Sequence, residues 1–366
     1  MNICIVAGAR PNFIKVAPII KAIKKAASEG RDVAFQLIYA GREDDPTLEE
    51  TLFSDLSISR PDVFLGVDCE NLNELTGQVM SKFEQYLQSH PTNVVIVVDD
   101  LASTMAAAIV TKKQGITLAH LAAGTRSFDI TMPKEINRLV IDGLSDILFT
   151  AGMSNNSIAN REGAELSKVY MVGNILIDTL RDNYQRFKRP AGLEALGIQD
   201  KEYLLFTLNR KVLIADKKNL KAMLLRLLNE VGEYSVIAPL GARAKAAVSS
   251  ILLEDEFKGN RDRFHFFEPL TYLEFGYLSA HAKGIITDSG NVAEEATFNG
   301  VPCITLNSYT EHIETVKVGT NVLVGEDADE LANAVSQMVS GNWKSGGIPD
   351  RWDGRSAERI VQILLG

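Results

Sequence analysis

Cysteine, histidine and tryptophan are scarce in this chain of 366 residues, which contains three, five and two of them respectively. The cysteines lie far apart with no second ligand at zinc-motif spacing, which predicts a reducing compartment and no structural metal. No apolar run approaches the ~18 residues that a membrane-spanning helix needs. The short apolar N-terminus has no basic segment before it, which predicts a buried strand and not a signal peptide. We therefore expect a cytoplasmic protein without a membrane partner.

Basic residues are also fewer than acidic ones, with 38 Lys and Arg against 47 Asp and Glu and a net charge of -9. A protein that binds duplex nucleic acid normally carries a basic face, so a nucleic-acid partner is not expected. The content of 46% hydrophobic and 23% charged residues is ordinary for globular proteins. At this length, the chain should fold into about two domains.

Short runs of Val, Ile and Leu alternate with amphipathic segments of helical period, an order that predicts parallel sheets with right-handed crossovers. The segment Arg186–Glu202 is charged, contains Pro190 and two glycines, and lacks a clear strand, so we place a domain boundary there. The expected fold class is α/β, with two Rossmann-like, doubly wound parallel-sheet domains at 1–185 and 186–353. Ligands of such sheets bind in a cleft at the carboxyl ends of the strands.

The predicted elements follow from these patterns. The expected strands are Asn2–Ala7, Val33–Tyr39, Asn93–Val98, Thr117–Leu121, Asp146–Thr150, Val169–Val172, Tyr203–Leu208, Ser235–Pro239, Gly284–Thr287, Val301–Leu306 and Asn321–Val324. The expected helices include Lys15–Ser28, Thr104–Gln114, Leu176–Phe187, Asn219–Val231, Tyr272–Ala282, Ala328–Val339 and Ser356–Leu365.

The end of the first strand carries a possible anion-binding turn. Gly8 follows the strand, and Arg10 and Lys15 follow the glycine. Backbone amides at such a turn and the positive end of the next helix can hold an anion. A tight turn with solvated charges explains the same residues equally well. The pattern is not GxGxxG, so it does not indicate NAD binding.

Ionisable residues follow the next two strands of the predicted first sheet. Asp99 and Asp100 end one strand, His120 ends the next, and Glu135 and Arg138 open the helix after it. A carboxylate at such a position can act as a general base. The alternatives are an N-cap for one aspartate, a half-buried structural role for the histidine, and a surface ion pair between Glu135 and Arg138.

A second turn, Thr287–Asn291, lies between a strand and a helix that carries Glu294 and Glu295. Amides and hydroxyls at this helix start could bind a diphosphate, and a carboxylate one turn later could bind sugar hydroxyls. A capping box with Asn291 as N-cap and Glu294 at N3 is the structural alternative. Both interpretations can hold at once.

The chain resembles one family, the non-hydrolysing UDP-N-acetylglucosamine 2-epimerases. Six segments carry the resemblance, and they follow in the family's order along nearly the whole chain. The segments and the family patterns they resemble are GARPNFIKVAP (Gly8–Pro18) with GTRPEAIKMAP, VVDDLASTMAAA (Val97–Ala108) with VHGDTTTTFAAA, HLAAGTRS (His120–Ser127) with HVEAGLRS, MPKEINR (Met132–Arg138) with MPEEINR, TDSGNVAEEA (Thr287–Ala296) with TDSGGIQEEA, and DGRSAERIVQILL (Asp353–Leu365) with DGKASERIVDIL.

The resemblance implies a GT-B fold, a homodimer and a final helix, 354–366, that crosses back to the first domain. It implies a UDP-sugar as the small-molecule ligand, no cofactor, no metal, and a role in polysaccharide biosynthesis. The family inverts C2 of UDP-N-acetylglucosamine by eliminating UDP to a glycal and adding it back. This chemistry needs proton carriers near C2 and a clamp on the leaving diphosphate.

The family's functional positions can be carried over individually. Candidate catalytic residues are Asp100 and Glu135, which match family carboxylates, and His120. Candidate substrate-binding residues are Arg10, Lys15, Phe275 beside uracil, Ser289, Gly290, Glu295 on the ribose, and His312 in place of a diphosphate-binding arginine. The chain departs from the pattern at Ala122, Asn209 and Val212, where the family has Glu, His and Glu. A non-catalytic UDP-sugar-binding protein and a GT-B glycosyltransferase are therefore the alternative functions.

Overall fold

The computed structural model describes residues 1–162 and 167–366. The chain divides into two compact units. Unit 1 consists of Met1–Asp182 together with Asp350–Gly366, and unit 2 of Asn183–Pro349. The C-terminal residues therefore belong to the same unit as the N-terminus.

Strands and helices alternate along the described chain. The strands are β1 (Asn2–Ala7), β2 (Ala34–Tyr39), β3 (Val63–Phe64), β4 (Val94–Val98), β5 (Thr117–Leu121), β6 (Ile147–Thr150), β7 (Lys168–Met171), β8 (Tyr203–Phe206), β9 (Ser235–Pro239), β10 (Phe264–Phe267), β11 (Gly284–Thr287), β12 (Cys303–Thr305) and β13 (Asn321–Leu323). The helices are α1 (Arg10–Ser28), α2 (Glu50–Leu56), α3 (Leu72–Ser89), α4 (Ala102–Lys113), α5 (Pro133–Leu144), α6 (Met153–Glu162), α7 (Ile175–Asn183), α8 (Ala191–Leu196), α9 (Lys211–Ala215), α10 (Lys217–Glu230), α11 (Ala242–Leu252), α12 (Tyr272–His281), α13 (Gly290–Asn299), α14 (Glu314–Lys317), α15 (Ala328–Val339) and α16 (Ser356–Leu365).

Unit 1 is built on a seven-stranded sheet in the order β3-β2-β1-β4-β5-β6-β7, whose strand pairs are all parallel. The five residues of β4 are all buried, as expected for a strand covered by helices on both faces. The chain moves outward from β1 in one direction, then returns to place β4 on its other side. The loops after β1 and β4 therefore meet at the switch point of the sheet, where α/β proteins bind ligands.

Unit 2 repeats the arrangement with six parallel strands in the order β10-β9-β8-β11-β12-β13. Its switch point lies between β8 and β11. A core cluster that includes Leu204, Phe206 and Ile286 packs between these strands and helices such as α10 and α15. The prediction of two doubly wound parallel sheets is confirmed in both units.

The C-terminal segment of unit 1 is fixed by buried contacts. The indole N–H of Trp352 donates to the carbonyl of Ala151 at 3.1 Å, and the backbone N–H of Ala357 donates to Asp178 Oδ1 at 2.7 Å. Gly173 has φ 103°, and a Cβ there would lie 2.0 Å from the Arg351 carbonyl oxygen. A glycine is therefore required where the two segments meet.

Several predicted boundaries differ from the structure. Helix α1 begins at Arg10 and not at Lys15. The strand predicted at Val301–Leu306 spans only Cys303–Thr305. Strands β3 and β10 and the 18-residue helix α3 were not predicted. None of the helices described is both long and apolar enough to cross a lipid bilayer.

Candidate active site

The turn after β1 brings the helix start close to its neighbours. A Cβ on Gly8 would lie 2.0 Å from the hydroxyl of Ser103, so only glycine allows this approach. The backbone N–H groups of Gly8 and Ala9 both donate to Asn12 Oδ1, at 2.8 and 3.2 Å. These two amides thus have a partner within the chain, as the tight-turn interpretation requires. The Arg10 side chain forms no hydrogen bond or ion pair with the described residues and is partly exposed.

Asp99 connects this turn to the end of β4. Its carboxylate accepts hydrogen bonds from Asn12 Nδ2 at 2.9 Å and from Lys15 Nζ at 2.5 Å. The backbone of Asp99 has φ 59°, which directs its side chain back toward β1. Lys15 is therefore held at the switch point by a carboxylate on the neighbouring strand.

Asp100 is bound by an arginine from α5. Arg138 donates from Nε at 2.8 Å and from Nη2 at 2.6 Å to Asp100 Oδ2. Lys134 Nζ lies 3.4 Å from Oδ1. Burial alone would raise the pKa of Asp100, but the charges of Lys134 and Arg138 more than offset it, and the pKa is below its usual value. Asp100 is therefore ionised at neutral pH and can accept a proton.

Glu135 shares the same arginine, because Arg138 Nη1 lies 3.0 Å from Glu135 Oε2. The carboxylate also accepts from the N–H and hydroxyl of Ser127, each at 2.9 Å, and from the N–H of Phe128 at 3.2 Å. Burial raises the pKa of Glu135, but the hydrogen bonds from Ser127 and Arg138 outweigh this and lower it. The predicted ion pair of Glu135 and Arg138 is therefore present, but both residues are almost fully buried, so its predicted surface location is wrong.

His120 lies in a second buried network. Its Nδ1 is 2.6 Å from Asp142 Oδ1, and its Nε2 is 3.0 Å from the carbonyl oxygen of Asp99. Asp142 also forms an ion pair with Arg126 at 2.8 Å and accepts from the N–H of Gly124 at 3.0 Å. Burial raises the pKa of Asp142, but the charge and hydrogen bond of His120 and the charge of Arg126 lower it overall.

The turn after β11 in unit 2 leaves a helix start open. Ser289 is the N-cap of α13, but no side chain caps this end among the residues described. A Cβ on Gly290 would meet no atom within 4 Å, so there is space next to these amides. Uncapped amides and the helix dipole make this turn suited to an anion such as a diphosphate. The capping box predicted from Asn291 and Glu294 is wrong, because the helix begins at Gly290.

Asp288 links the two loops at this switch point. Its Oδ2 accepts from the backbone N–H groups of Asn209 and Arg210, both at 2.6 Å. Thr207 directly follows β8, and Thr287 is the last residue of β11. Their hydroxyls are 2.6 Å apart. The loop after β8 is therefore fixed beside the start of α13.

Two adjacent glutamates on α13 have different environments. Burial and the charge of Glu294 raise the pKa of Glu295 to about 8. Glu294 instead lies 2.7 Å from His312 Nε2. Burial lowers the pKa of His312, but the charge and hydrogen bond of Glu294 raise it above its usual value. Phe275 lies half-buried on α12 against the core that includes Ala293.

The structure also shows where the three residues that depart from the family pattern lie. Ala122 follows β5 with φ 69°, and Asn209 follows β8. Val212 is 69% exposed on α9. The N-caps predicted from Asp99 or Asp100 are wrong, since no side chain caps α4 and both carboxylates bind other groups.

Sequence reasoning did not identify Asp142 and Arg126 as site residues, nor that Arg138 contacts both Asp100 and Glu135. A signal for Asp142 and Arg138 was present, because Glu135, Arg138 and Asp142 follow at i, i+3 and i+7 on one face of α5. Such a charged face on an otherwise amphipathic helix indicates a buried network.

The comparisons with known proteins agree over the whole length. The family model described as UDP-N-acetylglucosamine 2-epimerase matches residues 25–365. The UDP-N-acetylglucosamine 2-epimerase of Methanocaldococcus jannaschii is 35% identical over all of this chain and 99% of its own. The UDP-2,3-diacetamido-2,3-dideoxy-D-glucuronate 2-epimerase of Pseudomonas aeruginosa is 32% identical, with 100% and 99% of the two chains covered.

Solved structures show the same likeness. The M. jannaschii UDP-GlcNAc 2-epimerase in complex with UDP-GlcNAc and UDP has a TM-score of 0.83 and 34% identity, covering 100% of this chain and 99% of that one. The Neisseria meningitidis UDP-GlcNAc 2-epimerase bound to UDP-GlcNAc has a TM-score of 0.87 at 25% identity, with both chains fully covered. The prediction of a GT-B fold is confirmed.

Proposed function

The chain belongs to the UDP-N-acetylglucosamine 2-epimerase family, and on that premise we propose that it inverts C2 of a UDP-linked 2-acetamido sugar. By their names, the two relatives act on UDP-N-acetylglucosamine and on UDP-2,3-diacetamido-2,3-dideoxy-D-glucuronate. The substrate class is therefore a UDP-hexose with an acetamido group at C2.

We propose that the reaction has two halves, elimination and re-addition. In the first half, Asp100 takes the proton from C2, the C2–H electron pair forms the C1=C2 bond of a glycal, and the C1–O bond breaks with its pair leaving on UDP. In the second half, UDP adds back to C1, C2 receives a solvent-derived proton on the opposite face, and Asp100 returns the proton it took to solvent. The protons balance, and no net oxidation occurs.

One observation carries this proposal, the ionised carboxylate of Asp100 at the switch point of the first sheet. Its Oδ2 is bound by Arg138, whereas its Oδ1 accepts no hydrogen bond from the described residues and faces Lys134 at 3.4 Å. An ionised carboxylate with one available oxygen is what removal of a C2 proton needs.

We assign the UDP moiety to unit 2. The Ser289 N–H already donates to Thr287 Oγ1 at 3.0 Å, so we assign the diphosphate to the Ser289 hydroxyl and to the uncapped amides from Gly290 onward. We assign the ribose hydroxyls to Glu295 and a flat base to Phe275. His312, whose pKa Glu294 raises, is our candidate for stabilising the charge of the leaving group in unit 2. Within unit 1 we assign Arg10 and Lys15 to substrate binding, as the resemblance implies. His120 has both ring nitrogens hydrogen-bonded, so we assign it the positioning of Asp99.

Proton NMR in deuterated water tests the proposal with UDP-GlcNAc and with the diacetamido-glucuronate as substrates. We expect deuterium at C2 and the 2-epimer of at least one sugar. Asp100→Asn should abolish both signals and leave UDP binding, measured by calorimetry, within about twofold. Neither epimer nor C2 deuterium with either sugar would refute the assignment.

We further propose that the chain forms a homodimer, as the resemblance implies. Size-exclusion chromatography with light scattering tests this, with a mass near twice 40.1 kDa expected. A monomer across the micromolar range would contradict it.

A further inference from the structure

Arg138 contacts both carboxylates at the end of β4 and the start of α5, with hydrogen bonds to Asp100 and Glu135. We propose that Arg138 is a positioning residue that reserves Asp100 as the proton acceptor and commits Glu135 to anchoring the Ser127–Phe128 segment. This inference rests on the proposed function, and it divides two carboxylates of similar appearance into a catalytic residue and an anchor.

The geometry at Asp100 supports the first half of this division. Both Nε and Nη2 of Arg138 reach the same oxygen, Oδ2, at 2.8 and 2.6 Å. Charge-assisted bonds of this kind fix the carboxylate plane. The second oxygen is thereby turned away from the guanidinium, which keeps one oxygen of the carboxylate available for a proton.

The geometry at Glu135 supports the second half. Four donors meet its two oxygens, namely the N–H and hydroxyl of Ser127, the N–H of Phe128 and Arg138 Nη1. Protonation of Glu135 would remove an acceptor from at least one of these donors inside the fold. Glu135 is therefore a poor proton acceptor and a strong anchor.

The anchored segment has a backbone conformation that needs support. Phe128 has φ 61°, a region that a residue with a bulky side chain rarely adopts, and the residue is 66% exposed. Because the ring is mostly in water, core packing does not impose this conformation. The hydrogen bond from the Phe128 N–H to Glu135 is a direct constraint on it.

The charge of Arg138 also makes the arrangement possible. Asp100 and Glu135 are both buried, and two neighbouring carboxylates without a cation do not readily ionise together. The Lys134 side chain is 59% exposed, and its Nζ lies 3.4 Å from Asp100 Oδ1. The other charged group from a packed element is Lys15 of α1, whose field also lowers the pKa of Asp100. Loss of Arg138 should therefore raise the pKa of the pair.

The pH profile of kcat/KM tests this inference. Arg138→Met should move the acidic limb to higher pH by about one to two pH units, because an adjacent cation lowers a carboxyl pKa by that order. Arg138→Lys keeps the charge and should leave the limb within about half a pH unit while lowering kcat. Arg161→Met is the matched control, since Arg161 is an exposed arginine of unit 1 paired with Glu162, and its profile should equal that of the wild type. The proposal would be overturned if the acidic limb of the kcat/KM profile lay at the same pH in Arg138→Met and in the wild type.

Glu135→Gln provides an independent test if Arg138→Met does not fold. As an anchor, Glu135 can be replaced with retention of at least about 1% of kcat, with faster hydrogen exchange at the Phe128 amide. Asp100→Asn should lose about 10³-fold or more, in the range expected for a general base. Equal losses for both variants, or unchanged exchange at Phe128, would contradict the division of roles.

The role of Arg138 can also be tested if the proposed function is wrong. If the wild type converts no UDP-sugar, carboxyl ¹³C NMR of the wild type and Arg138→Met still follows the titration of Asp100 and Glu135. An upward shift of about one unit or more in the variant supports the role of Arg138, and identical titrations refute it.

Discussion

Glu295 should make the stability of unit 2 fall with rising pH in the neutral range. Glu295 lies on α13 and is 7% exposed. Burial and the neighbouring charge of Glu294 raise its pKa from 4.5 to about 8. Between these two values the folded chain retains a proton that the unfolded chain has released. The folded state is therefore favoured fully below the unfolded pKa and loses this advantage as the pH rises toward 8.

The size of the effect follows from the shift. One pKa unit corresponds to about 1.4 kcal/mol, so a rise from pH 6 to pH 8 should lower the free energy of unfolding of unit 2 by about 2 kcal/mol. For a domain of this size, that change lowers Tm by about 4–8 °C. Glu295→Gln removes the titrating group and retains the shape of the side chain.

Calorimetric unfolding from pH 5.5 to 8.5 measures the effect, with hydrogen exchange at β11 and α13 identifying the transition of unit 2. Because other groups titrate as well, the informative quantity is the difference in Tm between Glu295→Gln and the wild type. This difference should increase by about 4–8 °C from pH 6 to pH 8. Glu233→Gln, at an exposed site of the same unit, should show a difference that does not depend on pH.

A constant difference between Glu295→Gln and the wild type across this range would refute the reasoning. Ligand binding gives a second readout under the proposed function. Ribose hydroxyls donate to an ionised carboxylate, so UDP binding at pH 7 should release up to one proton from Glu295. Calorimetry in buffers of different ionisation enthalpy measures that proton, and its release should disappear in Glu295→Gln.

Two further substitutions test the network of unit 1 and the turn of unit 2. Asp142→Asn leaves His120 and Arg126 without their shared buried anion and should cost about 3–5 kcal/mol of unfolding free energy by denaturant titration. Asp182→Asn, at an exposed ion pair, should cost less than about 1 kcal/mol, and equal losses would contradict the importance of burial. Gly290→Ala meets no atom within 4 Å and should leave Tm within about 2 °C, but its methyl group should weaken UDP binding about tenfold or more. Unchanged UDP affinity would exclude this turn as the diphosphate site.

Four strands of the two sheets could be predicted from sequence to the residue, whereas the predicted bounds of β4 and β8 were one and two residues too long. The bounds of Asn2–Ala7, Thr117–Leu121, Ser235–Pro239 and Gly284–Thr287 were predicted as the structure has them. A parallel strand covered on both faces forms a continuous apolar run between turn residues, which is a strong local signal. The sheet edges lacked that signal. Phe264–Phe267 is an edge strand whose central residues are only partly buried, and Val63–Phe64 has two residues.

The polar groups at the strand ends were predicted as candidates, but their partners were not. Arg138 reaches Asp100 across 38 positions of sequence, and Asp142 reaches His120 across 22. Such pairs depend on how α5 packs against the sheet, which no local pattern specifies. The alternative interpretations for Asp99, Asp100 and Glu135 were local ones, a cap and an i, i+3 surface pair. The caps are wrong because both aspartates bind tertiary partners, whereas the i, i+3 pair of Glu135 and Arg138 forms but is buried.

The distribution of charge between the units favours an enzyme over a protein that only binds UDP-sugars. A binder needs an anion site and a sugar contact, and unit 2 offers these at the start of α13. Unit 1 buries Asp100, Glu135 and Arg138 together, and burying such groups generally costs desolvation that their attraction only partly returns. This arrangement adds little to stability, yet it keeps a carboxylate ionised with one oxygen available at the switch point of the sheet. Ala122, Asn209 and Val212 remove proton carriers of the family pattern, and they leave this one in place.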